Sequence, residues 1–489
     1  MARKGLSKSR LLSSLQCQKR LWLELNRPEV AQVSSATQAL FTIGHNVGEV
    51  ARQLAPGGTL IEWVDDLSSA LAQTQTALQN LPVTLFEAAF QHEGVLVRAD
   101  IISARRQGLR VNEVKASTSV KDYQLQDAAI QAWVISGAGY NVESIAIQHI
   151  DNKFVYKGGG DYRGLFAEQP LGKEIRPAVA EVPTWVGSAR RTLEGSEPEI
   201  ATGKHCDQPF SCPFVGYCTS KEPQTEYPIS ILPYGGKTVP ALLAEGYRDL
   251  RDVPEGRLTS ENHERVWRAT RSGKAEFDRA AAARTLAGQP YPRYFLDFET
   301  ASFAVPIWTG TRPYQQLPFQ YSCHIQQRDG STQWKGFLDL SGQAPMANFV
   351  ESLLGSLGDS GPIFSWNASF EAQRLRDMAS LFPSKEGALS KVIKRMVDLL
   401  PIVRATYYHP KMMGSWSLKA VLPTIDSRLD YGDVGEVQDG SAASAAFLEA
   451  IAPDTKPERR QALSDALTTY CRRDTEALVR IAEFLQTGK

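Results

Sequence analysis

This sequence is poor in cysteine and has no net charge. Six cysteines occur in 489 residues, which is too few for a disulfide framework and typical of a protein from a reducing compartment. Lysine and arginine total 54, as do aspartate and glutamate, so the bulk charge does not indicate the basic surface of many DNA-binding domains. A local basic patch is still compatible with this balance, since net charge says nothing about distribution.

Long apolar runs, internal repeats and low-complexity tracts are missing as well. No run is long enough to span a bilayer, so we expect no membrane partner. The basic N-terminus lacks the apolar stretch and cleavage site of a secretory signal, and we therefore expect a cytoplasmic protein. Apolar residues make up 42% and charged residues 22%, as in globular proteins. The length predicts two or three domains.

The order of helix-like and strand-like segments predicts three parts. Residues 1–227 begin with helical patterns, continue with three strand-like runs joined by short turns, and end in a cluster of cysteines. Residues 228–288 are polar and helical, as expected of a connecting subdomain. Residues 289–489 alternate strand and helix, which indicates an α/β fold with a mixed sheet.

Two strand-like runs of the first part carry acidic residues that can meet. Glu113 and Lys115 are two positions apart on one strand and so share a face, and a short turn can bring Asp100 beside them. Two carboxylates and a backbone carbonyl can hold Mg²⁺, which acidifies a water and neutralises a scissile phosphate, while the lysine acts as base or stabiliser. Glu87, on the preceding strand, is a further acidic candidate. The same pattern also occurs on exposed strands, where glutamate and lysine only pair.

Two further features could belong to this site. The helical stretch after the strands offers Gln124, Asp127 and Gln131, of which Asp127 and Gln131 are four apart and face the same way. Such a helix could place an amide against the substrate backbone near the metal, or it could be a solvated helix face. His45 is a candidate additional metal ligand, or a structural histidine.

Three of the six cysteines lie close together in "HCDQPFSCPFVGYC": Cys206, Cys212 and Cys218. A four-coordinate site needs one more ligand, and Cys17, on the predicted N-terminal helix, is available for it. Four thiolates suit zinc or an iron–sulfur cluster, and the residues alone do not choose between them. With zinc, His205 could replace Cys17. The Cys17 site would clamp together the two ends of the first part.

A second set of carboxylates is spread over the last part. Asp297 and Glu299 share a face of one strand, Glu371 follows at the start of a helix, and Tyr470 and Asp474 are four apart on another helix. Four carboxylates could hold two metals about 4 Å apart, one activating the attacking water and the other stabilising the leaving oxygen. Tyr470 could orient that water.

Residues 1–227 resemble the iron–sulfur RecB-like PD-(D/E)XK nucleases, which include the CRISPR-associated exonucleases. The resemblance is carried by "LSKSRLLSSLQC", His45, Asp100, the triplet Glu113–Val114–Lys115, the glutamine-bearing helix and the three late cysteines. It implies a restriction-endonuclease-like domain with metal ligands Asp100 and Glu113. It also implies a structural 4Fe–4S cluster on Cys17, Cys206, Cys212 and Cys218. The chain differs from the family in the spacing before Cys212 and in having no tyrosine on the glutamine helix.

Residues 289–489 resemble the DEDD exonucleases of the ribonuclease-H fold, in the subgroup with tyrosine in the last motif. Asp398 and Ser417–Leu418 occupy places that proofreading-type exonucleases share. The resemblance implies Mg²⁺ or Mn²⁺ bound by Asp297, Glu299 and Asp474. Glu371 stands where the family has aspartate.

Together the two halves resemble a bacterial family that fuses an iron–sulfur RecB-like nuclease to a DEDD-like domain. The resemblance implies a metal-dependent exonuclease that acts on DNA in repair or defence, with RNA as the other substrate that a DEDD domain could trim. The alternative is a nucleic-acid-binding clamp with one or both sites inactive, which the glutamate at 371 and the missing tyrosine favour. Protein partners, strand preference and oligomeric state stay open.

Overall fold

In the computed structural model, the described residues are 5–62, 67–429, 431–432 and 435–488, with the backbone alone at residues 35 and 36. The chain divides into two units, Met1–Pro223 with Phe303–Gln315, and Gln224–Ser302 with Gln316–Lys489. Each unit combines helices with a mixed β-sheet, so the predicted α/β class is confirmed at this level. No helix in the described ranges is long and apolar enough to cross a membrane.

The first unit is built from short helices around one large sheet. Its described strands are β1 (Leu6–Ser7), β2 (Thr59–Leu60), β3 (Val83–His92), β4 (Val95–Arg105), β5 (Gly108–Lys115), β6 (Val142–Ile150) and β7 (Phe166–Leu171). Its described helices are α1 (Lys8–Gln16), α2 (Gln18–Asn26), α3 (Ser35–Gln53), α4 (Leu67–Ala77), α5 (Asp122–Gly137), α6 (Arg176–Glu194) and α7 (Val215–Ser220).

The sheet of the first unit has the order β2-β3-β4-β5-β6-β7, and β1 pairs with β4. Strands β3, β4 and β5 form the antiparallel meander that the short turns predict, and β6 runs parallel to β5. Helix α5 covers this sheet with a nearly continuous buried surface that includes Ile130, Val134 and Ile135. This packing holds α5 against the core, so the polar residues on its buried side must find partners inside the unit.

The N-terminal helical pattern is interrupted at one residue. Cys17 is extended, with φ −163° and ψ 121°, and separates α1 from α2. The prediction of one N-terminal helix through Cys17 is therefore wrong. Ser7 is the N-cap of helix α1. Its side chain accepts a hydrogen bond from the Arg10 backbone nitrogen at 3.3 Å, as N-cap serines do.

The second unit has a smaller sheet and longer helices. Its described strands are β8 (Glu276–Phe277), β9 (Arg293–Ala301), β10 (Leu317–Gln326), β11 (Thr332–Leu338), β12 (Ile363–Ser365), β13 (Met396–Asp398) and β14 (Tyr407–Tyr408). Its described helices are α8 (Thr238–Ala244), α9 (Glu261–Ser272), α10 (Arg279–Ala287), α11 (Met346–Ser356), α12 (Ser369–Leu381), α13 (Glu386–Lys394), α14 (Leu399–Thr406), α15 (Leu418–Ile425), α16 (Gly440–Ile451) and α17 (Pro457–Thr487).

Strand β9 is the middle of the five-stranded sheet, whose order is β11-β10-β9-β12-β13. Strand β10 pairs antiparallel with both β9 and β11, whereas β12 runs parallel to β9 and β13 runs parallel to β12. Every residue of β10 is buried, so the centre of the sheet is covered on both faces. Helix α17 lies against β9 and β10, which brings the middle of α17 next to the acidic residues of β9.

Candidate functional site

Two carboxylates and two ammonium groups form a buried cluster in the first unit. The Lys115 ammonium is 2.7 Å from Oε1 of Glu113 and 2.6 Å from Oδ2 of Asp127. The Lys8 ammonium is 2.7 Å from the same Glu113 oxygen and 3.0 Å from Oδ1 of Asp127. The four groups thus alternate in sign around a small ring. Glu113 and Asp127 are each 2% exposed, so neither charge is free of a partner, as buried charges require.

The helix α5 contributes to this cluster from its buried face. Gln131, fully buried, donates from its amide nitrogen to Oε2 of Glu113 at 2.7 Å and to Oδ1 of Asp127 at 2.9 Å. The alternative of a solvated helix face for Asp127 and Gln131 is therefore wrong. Gln124 is also buried and bonds to Ser117 at 2.9 Å, away from Glu113. Both oxygens of Glu113 accept hydrogen bonds, which fixes the orientation of that carboxylate.

Asp100 lies beside this ring. Its Oδ2 accepts a hydrogen bond from the Val114 backbone nitrogen at 2.7 Å, which ties β4 to the end of β5. Burial, and next the charge of Glu113, raise the pKa of Asp100 to about 8. A cavity of about 210 Å³ opens here, and Asp100, Glu113 and Lys115 are among its lining residues. The structure thus brings together Asp100, Glu113 and Lys115, the three residues that the strand pattern of the sequence indicates.

The two weaker candidates of this region also line that cavity. Glu87 pairs with Arg52 at 3.5 Å and with Arg98 at 3.3 Å, so its charge is already balanced. It has a φ of 56° and lies between Phe86 and Ala88, which pair with Ile101 and Ala99 of β4. His45, on α3, is exposed, which leaves its ring accessible to the cavity.

Lys8 is a member of the ring that sequence reasoning missed. It is the first residue of α1 and follows strand β1, which pairs with β4. Burial lowers the pKa of Lys8, but the charges of Asp127 and Glu113 outweigh it and raise the pKa above its usual value. Lys8 is therefore a permanent cation. In the sequence, Lys8 is recognisable only as a lysine that directly follows a capping serine. No local pattern predicts its contact with Glu113, which lies 105 positions later.

The four predicted cysteine ligands of the first unit line one cavity, together with His205. None of the four forms a disulfide, and burial raises the pKa of Cys212 and Cys218. In the described part of the chain, no three of the four sulfur atoms lie within 4.8 Å of one another. Gln16 joins the two ends of the unit, since its amide donates to the backbone oxygens of His205 at 2.7 Å and Phe210 at 2.6 Å.

Four carboxylates converge in the second unit. Asp297 and Glu299 extend from β9, Glu371 from the first turn of α12 and Asp474 from α17. Glu299, Glu371 and Asp474 are 6%, 2% and 6% exposed. Burial, reinforced by the charge of Asp474, raises the pKa of both Asp297 and Glu299 well above the usual carboxyl range. The cluster thus resists full ionisation without a cation.

Glu371 has an unused acceptor. Burial raises its pKa to about 8, and no described group hydrogen-bonds to its Oε2. Its charge contributes to the raised pKa values of Asp297 and Glu299, so it lies close to both. Asp398, a weaker candidate, caps α14 instead: it accepts from the backbone nitrogens of Leu400 and Asn367, both at 3.0 Å.

Two tyrosines and a lysine surround Asp474. The Tyr431 hydroxyl donates a hydrogen bond to Oδ1 of Asp474, and the predicted Tyr470 is buried nearby, with its ring centroid 6.4 Å from that of Tyr431. The Lys419 ammonium lies 5.2 Å and 5.0 Å from the two ring centroids. Burial raises the pKa of Asp474 to about 6, and the Tyr431 hydrogen bond and the Lys419 charge oppose it. Sequence reasoning missed Tyr431 and Lys419, because both lie outside the helix that carries the last motif.

Comparison with known families gives a match to part of the chain. The model of Domain of unknown function (DUF2779) matches residues 294–417. The matched stretch contains Asp297, Glu299 and Glu371 but ends before Tyr470 and Asp474. No curated protein matches the chain.

Proposed function

We propose that the chain is a metal-dependent nuclease with two hydrolytic sites, one in each unit. The observation that carries the proposal is the convergence of four carboxylates in the second unit: Glu299, Glu371 and Asp474 are buried and Asp297 is half-buried. Such a group is unfavourable without a cation, since like charges in a buried site raise one another's pKa. Oxygen ligands alone suit Mg²⁺ or Mn²⁺.

The residues of the second unit fit that metal. Glu371 has a buried oxygen with no hydrogen-bond partner, which is the kind of acceptor that a cation would satisfy. When bound, the metal supplies an acidified water and stabilises charge on the phosphate. Tyr431 holds the Asp474 carboxylate in one orientation, and we assign Tyr470 to orient the attacking water. A sheet with three antiparallel strands followed by two parallel ones is compatible with the ribonuclease-H-like fold that we propose for this unit.

In the first unit, we assign the metal to Asp100 and Glu113 and the supporting cation to Lys115. The cavity that these side chains line supports this assignment. Both oxygens of Glu113 already accept hydrogen bonds, from Lys8 and Lys115 on Oε1 and from Gln131 on Oε2. A metal must therefore displace one ammonium from Oε1. A meander covered by a helix is compatible with the PD-(D/E)XK-like domain that we propose.

The cysteines of the first unit fit an iron–sulfur cluster better than zinc. In a tetrahedral zinc site with Zn–S bonds of about 2.3 Å, the sulfur atoms are roughly 3.8 Å apart. At the shared cavity no three of the four sulfurs lie within 4.8 Å of one another, so they are not gathered as a tetrahedral zinc site needs, whereas a larger cluster takes more widely spaced ligands. Cys17, Cys206, Cys212 and Cys218 would hold the cluster, which would fasten α1 and α2 to the end of the unit.

Nucleic-acid cleavage tests the proposal. Anaerobically purified protein is incubated with end-labelled single- and double-stranded DNA and RNA in Mg²⁺ or Mn²⁺, beside Asp100→Ala and Asp297→Ala. We expect DNA to be shortened from an end and each variant to remove its own product ladder. If only one variant matters, the other unit is a guide or clamp. Binding without any cleavage would support the clamp instead and refute the nuclease.

A further inference from the structure

A thiol lies among the carboxylates of the second unit. Cys471 is on α17 between Tyr470 and Asp474 and is fully buried. One ligand atom from each of Asp297, Glu299 and Cys471 lies within 4.8 Å of the other two. The sulfur is 3.9 Å from Oδ2 of Asp297. Two hard oxygen ligands and one soft sulfur ligand therefore share one small buried volume.

A second feature of this volume points to a cation. Glu371 is 2% exposed, and its Oε2 accepts no hydrogen bond from any described group. The charge of Glu371 contributes to the raised pKa values of Asp297 and Glu299, two members of this group. Buried acceptors in folded proteins normally have a partner, and a bound cation would supply one.

We propose that Asp297, Glu299 and Cys471 form a mixed carboxylate–thiolate site for a thiophilic divalent ion such as Zn²⁺, Co²⁺ or Cd²⁺. Mg²⁺ prefers oxygen ligands and does not need the sulfur, whereas thiolate ligands favour the softer ions. The same carboxylates cannot serve both ions at once. A thiophilic ion therefore excludes Mg²⁺ and inhibits hydrolysis by the second unit, a consequence that rests on the proposed function.

The thiol must lose its proton to bind a metal, since the thiolate and not the thiol is the ligand. Coordination forms the metal–sulfur bond and breaks the S–H bond, and the proton passes to solvent. No oxidant or reductant takes part.

Cobalt binding to the full-length protein tests the site directly, since a cobalt–thiolate bond gives a near-ultraviolet charge-transfer band. Wild type is titrated with Co²⁺ beside Cys471→Ser and Cys323→Ser. Cys323 is a matched control, because it is also a fully buried thiol of the second unit but lies on β10 outside the cluster. We expect wild type and Cys323→Ser to bind one more thiolate-ligated ion than Cys471→Ser. The cysteines of the first unit contribute equally to all three proteins.

A second variant covers the case in which Cys471→Ser does not fold. Asp297→Asn keeps the thiol, and we expect it to lose the same increment of the band. An increment that survives in Asp297→Asn, or no difference between wild type and folded Cys471→Ser, overturns the site. An increment without any nuclease activity leaves the site standing and refutes the proposed function instead.

Inhibition gives the functional readout. Each protein is assayed in Mg²⁺ with rising Zn²⁺, and the rate is compared with its own rate without Zn²⁺. We expect the half-inhibiting Zn²⁺ concentration to rise roughly tenfold or more in Cys471→Ser, since even residues that only support a metal ligand contribute 10- to 100-fold to affinity. Equal inhibition of wild type and Cys471→Ser contradicts the proposed competition.

Discussion

The carboxylate cluster of the second unit predicts that removing one ionisable carboxyl group stabilises the metal-free protein near neutral pH. Glu371→Gln replaces a side chain that is 2% exposed and whose pKa burial raises from 4.5 to about 8. At pH 7 this shift costs the folded state about 3 kcal/mol, at roughly 1.4 kcal/mol per pKa unit. Part of the gain is lost because the new amide needs hydrogen-bond partners. We expect the free energy of unfolding to rise by about 1–3 kcal/mol.

The pH dependence has a definite sign. The folded-state pKa of Glu371 is the higher one, so the cost is absent below the unfolded value near 4.5 and grows as the pH rises toward 8. Urea unfolding in EDTA at pH 4 and at pH 7 measures the difference between variant and wild type at each pH. We expect the stabilisation at pH 7 and almost none at pH 4.

The control and a metal titration make this experiment decisive. Glu255→Gln makes the same charge change at an exposed residue of the second unit, and we expect it to leave stability nearly unchanged at both pH values. Adding Mn²⁺ should stabilise wild type more than Glu371→Gln, because a bound ligand stabilises only the form that binds it. A variant that is less stable than wild type in EDTA at pH 7 would refute the electrostatic reasoning.

Three further predictions concern the buried ring of the first unit, the surroundings of Asp474 and the cysteine cavity. Lys8→Met leaves the buried carboxylate of Glu113 with one cation fewer, and we expect a loss of about 3–5 kcal/mol in the free energy of unfolding, as for other broken buried pairs. Tyr431→Phe removes the hydrogen bond to Asp474, worth about 1.5–3 kcal/mol to a charged group, so we expect hydrolysis to slow roughly 10- to 100-fold with DNA binding unchanged. Cys17→Ser should abolish the visible absorption near ~400 nm of a thiolate-bound iron–sulfur cluster, measured on anaerobically purified protein.

Matched controls exist for each of these variants. Lys153→Met changes an exposed lysine of the first unit and Tyr234→Phe an exposed tyrosine of the second, and neither should have a measurable effect. Cys323→Ser removes a thiol outside the cysteine cavity and should keep the absorption. Unchanged stability in Lys8→Met would mean that Lys8 does not pair with Glu113 and Asp127 in solution. Normal hydrolysis by Tyr431→Phe would mean that Asp474 needs no orientation, and a coloured Cys17→Ser would exclude Cys17 as a ligand.

The local pattern of the sequence predicted much of this structure. Alternating apolar residues and short turns placed β3, β4 and β5, and side chains two apart on a strand brought Glu113 and Lys115 to one face. What the sequence could not show are contacts between distant segments. Lys8 reaches Glu113 across 105 positions, and no periodicity records such a contact.

Backbone conformation was the other source of error. The apolar spacing around Cys17 is helical on both sides, and only the structure shows the extended residue between α1 and α2. Asp398 stands at a position that the exonuclease resemblance singles out, and in the structure its side chain caps α14 and accepts a hydrogen bond from the Asn367 backbone nitrogen, as aspartate at a helix start often does. Residues 303–315 belong to the first unit, although they directly follow β9 of the second.

The most direct test of the central claim is hydrolysis of end-labelled single-stranded DNA by wild type and by the double variant Asp100→Ala/Asp297→Ala. Both proteins are purified anaerobically and assayed with Mg²⁺ and with EDTA. The two proposed sites predict Mg²⁺-dependent shortening of the DNA by wild type and none by the double variant. Wild-type protein that binds the DNA but leaves it intact, or a double variant that cuts as fast as wild type, would contradict them.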